Sequence, residues 1–93
     1  MYFSVKDVEP KSNYLLLLTF ESGEKKLFDM KPYLDIGIFK ELQDMKLFNT
    51  VYVSFNSIAW ANEADFDPEV LYSKSRLIAK NQVLETAENF GLS

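Results

Sequence analysis

The stretch "YLLLLTFESGEKKLFDM", residues 14 to 30, constrains the fold more than any other part of the chain. Read with the two-residue period of a strand, Tyr14, Leu16, Leu18 and Phe20 face one side while Leu15, Leu17 and Thr19 face the other. Both faces are largely apolar, so this strand is expected to sit in the middle of a sheet and to be covered on both sides. The residues "ESGE" then separate it from "KKLFDM", and Gly23 supplies the positive φ that a tight hairpin needs.

The flanking segments fit around that hairpin. Residues 2 to 8, "YFSVKDV", alternate loosely and run into Glu9-Pro10-Lys11-Ser12-Asn13, a turn-forming cluster, which predicts a first strand and a connection. Pro32 suits a first helical turn, and Gly37 interrupts before "IFKELQD", where Phe39 and Leu42 lie three apart on one helical face. In "LFNTVYVSF" Val51, Val53 and Phe55 share a strand face, and "NS" at 56 and 57 turns the chain into "IAWA" as a second hairpin. The fold class is therefore α+β: a small, mainly antiparallel sheet of about five strands in two hairpins, with a short helix between them and a C-terminal helix. Residues 1–73 form the domain and 74–93 a helical tail. On a helix from about residue 75, Leu77, Val83, Leu84, Ala87 and Phe90 make one stripe, with Gly91 as terminator, able to pack on its own sheet or on a partner subunit. Lys74, Arg76 and Lys80 are read as a solvated face.

Composition decides which functions are open. The chain has 93 residues, 47% of them apolar, enough for one core and too few for two. It lacks cysteine, so no disulfide framework or thiolate zinc site exists. Histidine is also absent, which removes every Ser-His or Cys-His nucleophile system and most acid-base catalysis near neutral pH. No catalytic residue and no cofactor is expected, and the chain is read as non-enzymatic. A net charge of -4 disfavours direct nucleic-acid binding. The first residues, "MYFSVKDVEP", lack a basic segment backed by a long apolar run, and "YLLLL" is far short of a bilayer span. A cytoplasmic location and no membrane contact are the expectations.

Four carboxylates crowd "IAWANEADFDPEVLY", residues 58 to 72. Glu63, Asp65, Asp67 and Glu69 alternate and could together face a hard cation, but an EF-hand-type loop needs glycine sixth and glutamate twelfth. Val70, counted from Asp65, and Lys74, counted from Glu63, stand there instead. Helix initiation accounts for more of the stretch: Asp67 as N-cap, Pro68 at the first helical position, Glu69 against the positive end of the helix dipole, and Phe66 with Leu71 as a hydrophobic staple. Asn62 and Asp65 are left over, free to make local Asx-type bonds. Trp60 is read first as a core or hydrophobic-edge residue. With Asn62, Asp65 and Tyr72 it also forms the candidate surface for a partner or ligand.

In this order the segments resemble a bacterial family catalogued as domain of unknown function 2442. The resemblance rests on "YLLLLTFESGEKKLFDM", "PYL", "GIF", "VYV" and "IAWANEADFDPEVLY", with Phe28-Asp29, Trp60, Asn62, Asp65 and Leu71-Tyr72 its most specific part. Glu63 departs from it, since the family usually has glycine after the asparagine. The resemblance implies a small α+β domain with a bent antiparallel sheet and no established activity. Some relatives are joined to a helix-turn-helix domain, and others are encoded in pairs that look like toxin-antitoxin or regulatory modules. The resulting expectation is a protein-interaction or accessory module of a bacterial cytoplasm, acting as a homodimer and binding a partner protein. The alternatives are a small-molecule or metal-sensing domain and a toxin-antitoxin-type or transcription-associated regulator.

Overall fold

A computed structural model describes residues 3–79. In chain order the elements are β1 (Val5–Lys11), β2 (Leu15–Phe20), β3 (Lys25–Asp29), 3₁₀ segments at Lys31–Tyr33 and Gly37–Gln43, α1 (Met45–Phe48), β4 (Tyr52–Ser54), β5 (Ser57–Ala59), α2 (Pro68–Lys74) and β6 (Arg76–Ala79). The strands form two sheets. One has the order β1-β2-β3-β6 with every neighbouring pair antiparallel, and the other is the β4-β5 hairpin. The domain is α+β, as its segment order predicts.

The central hairpin forms because its turn chemistry and its apolar register agree. Gly23 adopts φ 94° and its amide donates to the Phe20 carbonyl at 2.9 Å, closing the four-residue connection. Leu16, Leu18 and Phe20 of β2 and Phe28 of β3 then point to one side of the sheet, where they pack with Met30, Leu42, Phe48, Ile58, Trp60 and Leu71. Each such burial contributes about 1.5–3 kcal/mol. The 3₁₀ segments, α1, α2 and the β4-β5 hairpin all serve this inner side.

Three elements differ from the sequence expectation. First, Glu9, Pro10 and Lys11 continue β1, and the chain reverses instead at Asn13 and Tyr14, which take φ values of 61° and 59°. Proline is tolerated because β1 lies at the sheet edge, where a missing ladder donor costs little. Second, the tip of the β4-β5 hairpin is Phe55-Asn56, one residue earlier than expected. Ser54 pairs with Ser57, whose hydroxyl donates to the Phe66 carbonyl at 2.5 Å and draws that residue into the strand. Phe55 thus does not share a strand face with Val51 and Val53; it stands 99% exposed at φ 56°. Third, residues 76 to 79 are a strand, not the start of a helix. Ser75 is already extended at φ -89°, ψ 163°, and Leu77 pairs with Lys26, so the backbone of β3 gains a partner along its outer edge. The remainder of the expected tail helix, with Lys80, Val83, Leu84, Ala87 and Phe90, lies outside the described residues.

Candidate functional site

The acidic stretch is shaped as helix-initiation chemistry predicts. Asp67 caps α2, its Oδ1 accepting from the Glu69 amide at 2.8 Å, with Pro68 opening the helix and Leu71 donating back to the Asp67 carbonyl at 3.1 Å. Phe66 and Leu71 both join the core. Among the described residues no group of three or more acidic side chains converges to hold a cation.

Trp60, Asn62, Asp65 and Tyr72 are not brought into one site. Trp60 is 0% exposed; its indole Nε1 donates to the Phe48 carbonyl at 3.0 Å, and its ring meets Phe39, Phe48 and Phe66. It offers no area to a partner. Asn62 is committed to a turn: its side-chain oxygen accepts from the Ala64 amide at 3.1 Å, and its amide donates to Glu41 at 2.9 Å. Asp65, exposed, follows that turn and bridges Ala59 through its backbone. Tyr72 lies elsewhere, on α2, where its hydroxyl donates to Glu24 at 2.8 Å and Lys26 Nζ sits 3.7 Å from its ring centroid. The bond to Glu24, burial and the Glu24 charge all push its phenol above the ordinary value of 10.0.

Within the same turn, Glu63 holds φ 73°, a left-handed conformation that costs a side-chain-bearing residue about 1–2 kcal/mol. Its amide donates to the Trp60 carbonyl at 2.9 Å, so the turn is fixed by hydrogen bonds that need no side chain at position 63. Glu63→Gly is expected to stabilise the domain by about 0.5–1 kcal/mol, after allowing for the extra freedom of glycine in the unfolded chain. A thermal melt checks this, with the variant's midpoint a few degrees above that of the parent.

Two other surfaces are visible, and of the four candidates only Asp65 contributes to the first. A cleft of about 260 Å³ lies below the β4-β5 tip, lined by Ser54, Phe55, Ser57, Asp65, Phe66 and Pro68 among others. It falls just below the usual size of small-molecule pockets, about 300–1,000 Å³. The second surface is the outer face of the large sheet. The register places Leu15 beside Asp29, Leu17 beside Leu27 and Thr19 beside Lys25, while β1 adds Lys11, Glu9 and Asp7 on one flank and β6 adds Arg76 on the other. Leu15, Leu17 and Leu27 are only half buried. The described residues span just 18 Å along their shortest axis, about one sheet and one packed layer. Lys11 pairs with Glu9 at 3.1 Å and Lys31 with Asp29 at 3.0 Å. Burial raises the Asp29 carboxyl, but the bonds from Lys31 and the charges of Lys31 and Arg76 outweigh it and hold the group below 3.8.

These features define a class: a small α+β domain with one fully packed sheet face and one apolar face rimmed by charges of both signs. Residues 5–76 match the family model of the protein of unknown function DUF2442, and the chain belongs to that family. Neither curated proteins nor solved structures give a match. Among the described residues, no helix is long and apolar enough to cross a membrane.

Proposed function

We propose that this chain acts by contact and not by catalysis, as a non-enzymatic accessory module of a bacterial cytoplasm that works as a homodimer. One observation carries the reading: Leu15, Leu17 and Leu27 form an apolar strip on the outer sheet face, and no described element packs over it. Apolar patches rimmed by polar residues mark interaction sites. The missing imidazole and thiol, and the dispersal of the four candidate residues through core, turn and helix, support contact over chemistry. Phe55 adds to it: a ring at the hairpin tip, in a conformation unfavourable for its type, packs on almost nothing of its own chain.

Light scattering on the eluting peak of a sizing column tests the proposal. At tens of micromolar the chain is expected at twice its 10.8 kDa mass, and Leu17→Asp, which leaves the inner core untouched, is expected to elute as a folded monomer. A parent chain that stays monomeric throughout would defeat the reading.

A further inference from the structure

We infer that the cleft below the β4-β5 tip takes an arginine side chain from an extended segment of a partner protein. None of the lining residues belongs to the large sheet, so this surface is separate from the homodimer face and does not depend on it. Bonds within the chain hold the cleft in shape. The Val5 amide donates to the Asn56 carbonyl and the Ser4 hydroxyl to Asn56 Oδ1, both at 3.0 Å, which ties the hairpin tip to the start of β1. Ser57, 8% exposed, joins the hairpin to the other side of the cleft through its bond to the Phe66 carbonyl. A partner meets a formed site, and little affinity is lost to reorganisation.

Charge selects the occupant. Asp65 is the single charged residue of the lining, and among the described residues neither its carboxylate nor the Ser54 hydroxyl has a hydrogen-bond or ion-pair partner. The surrounding segment has the same sign, since residues 47 to 73 contain Glu63, Asp65, Asp67 and Glu69 but no lysine or arginine. Phe55, Ile58, Phe66 and Pro68 supply an apolar part, and the Phe55 ring stands 99% exposed. A cation that also stacks on a ring satisfies both parts, and a planar guanidinium does so better than a compact, strongly hydrated ammonium. Size and backbone select a polypeptide as its carrier. A volume of about 260 Å³ suits one side chain better than a whole small molecule. The Ala64 carbonyl and the Phe66 amide bond to β5 and its continuation, so the amide and carbonyl of Asp65 face the opposite way, with no backbone partner among the described residues. Such an edge accepts an added strand, and a residue across from Asp65 in that strand carries its side chain on the Asp65 face.

NMR titration of the isotope-labelled, full-length chain with the capped tripeptide Gly-Arg-Gly tests the inference. Shifts are expected at the amides of residues 54–58 and 64–67, with a Kd of about 1 mM, as befits a single side chain and a short edge. The same peptide with citrulline, which keeps the shape and loses the charge, is expected to bind at least about fivefold more weakly, as is the arginine peptide to Asp65→Asn. Phe55→Gly is expected to weaken binding about threefold while melting at or above the parental midpoint, because glycine takes φ 56° freely; loss of the ring is thereby separated from damage to the fold. Equal binding of the citrulline peptide, or an unchanged affinity in Asp65→Asn, would overturn the proposal. A lysine peptide that binds as tightly overturns the choice of arginine, and arginine amide alone binding as tightly overturns the polypeptide. Leu17→Asp is expected to bind the arginine peptide as the parent does, whatever its oligomeric state; loss of binding there would move the site to the outer sheet face.

Discussion

Trp60→Ala is expected to destabilise the domain by about 3–5 kcal/mol, the usual cost of truncating a large buried aromatic. Two losses combine. The indole leaves a void among Phe39, Phe48 and Phe66, and the Phe48 carbonyl at the end of α1 loses the donor that reaches it from Nε1. A small domain has only about 5–15 kcal/mol of stability in all, so a large part of the folded margin goes with this one side chain. Urea denaturation followed by tyrosine fluorescence or circular dichroism measures it. A variant that keeps the parental midpoint would show that the tryptophan is not the keystone of the inner face. The same result bears on any binding experiment: failure of Trp60→Ala to capture a partner reports loss of fold, not loss of a contact.

Lys26→Met is expected to cost about 2–3 kcal/mol, although the two side chains have similar stems. Lys26 is 8% exposed, and its ammonium lies over the Tyr72 ring while donating to the Tyr72 carbonyl at 2.6 Å. A hydrogen bond from a charged donor contributes about 1.5–3 kcal/mol and a partly exposed cation-π contact about 0.5–1. The saving in desolvation offsets part of this, and the Ser75 hydroxyl still donates to the same carbonyl at 3.2 Å. A double-mutant cycle with Tyr72→Leu, which keeps the carbonyl and removes the ring, isolates the cation-π contact, and a coupling energy of about 0.5–1 kcal/mol is expected. A coupling near zero would mean that the ring adds nothing to the ammonium's bond to the carbonyl. Because this contact joins α2 to β3, the loss should also loosen β6, which follows α2 after a single residue.

The legible parts of the fold were those in which local chemistry and the wider pattern agree. Gly23 in its turn, Asp67-Pro68-Glu69 at the start of α2, and Trp60 in a core position follow from short-range rules that nothing distant overrides. Misread segments are those decided by partners remote in sequence. Arg76 to Ala79 carry no strong strand signal; they become a strand because β3, about fifty residues earlier, has an edge to fill. Lys26, exposed by ordinary expectation, is buried because Tyr72 lies over it. At the β4-β5 tip, Asn56 signalled a turn, but its register depended on the reach of Ser57 to Phe66. For the candidate site, the double-sided apolar pattern of Leu15 to Phe20 pointed to the outer face, whereas Asn62 and Asp65 drew attention through charge and polarity that serve a local turn and its continuation.

The late arrival of β6 has a consequence for synthesis. The ribosome makes Lys25 to Asp29 well before Arg76 to Ala79, and at about 5–20 residues per second the interval is on the order of 3–10 s. During that time the nascent hairpin carries a bare flank able to template a neighbouring polysome product. Lys25 and Lys26, placed on that flank, act as gatekeepers, since adjacent cations discourage strand-to-strand recruitment until the closing segment emerges.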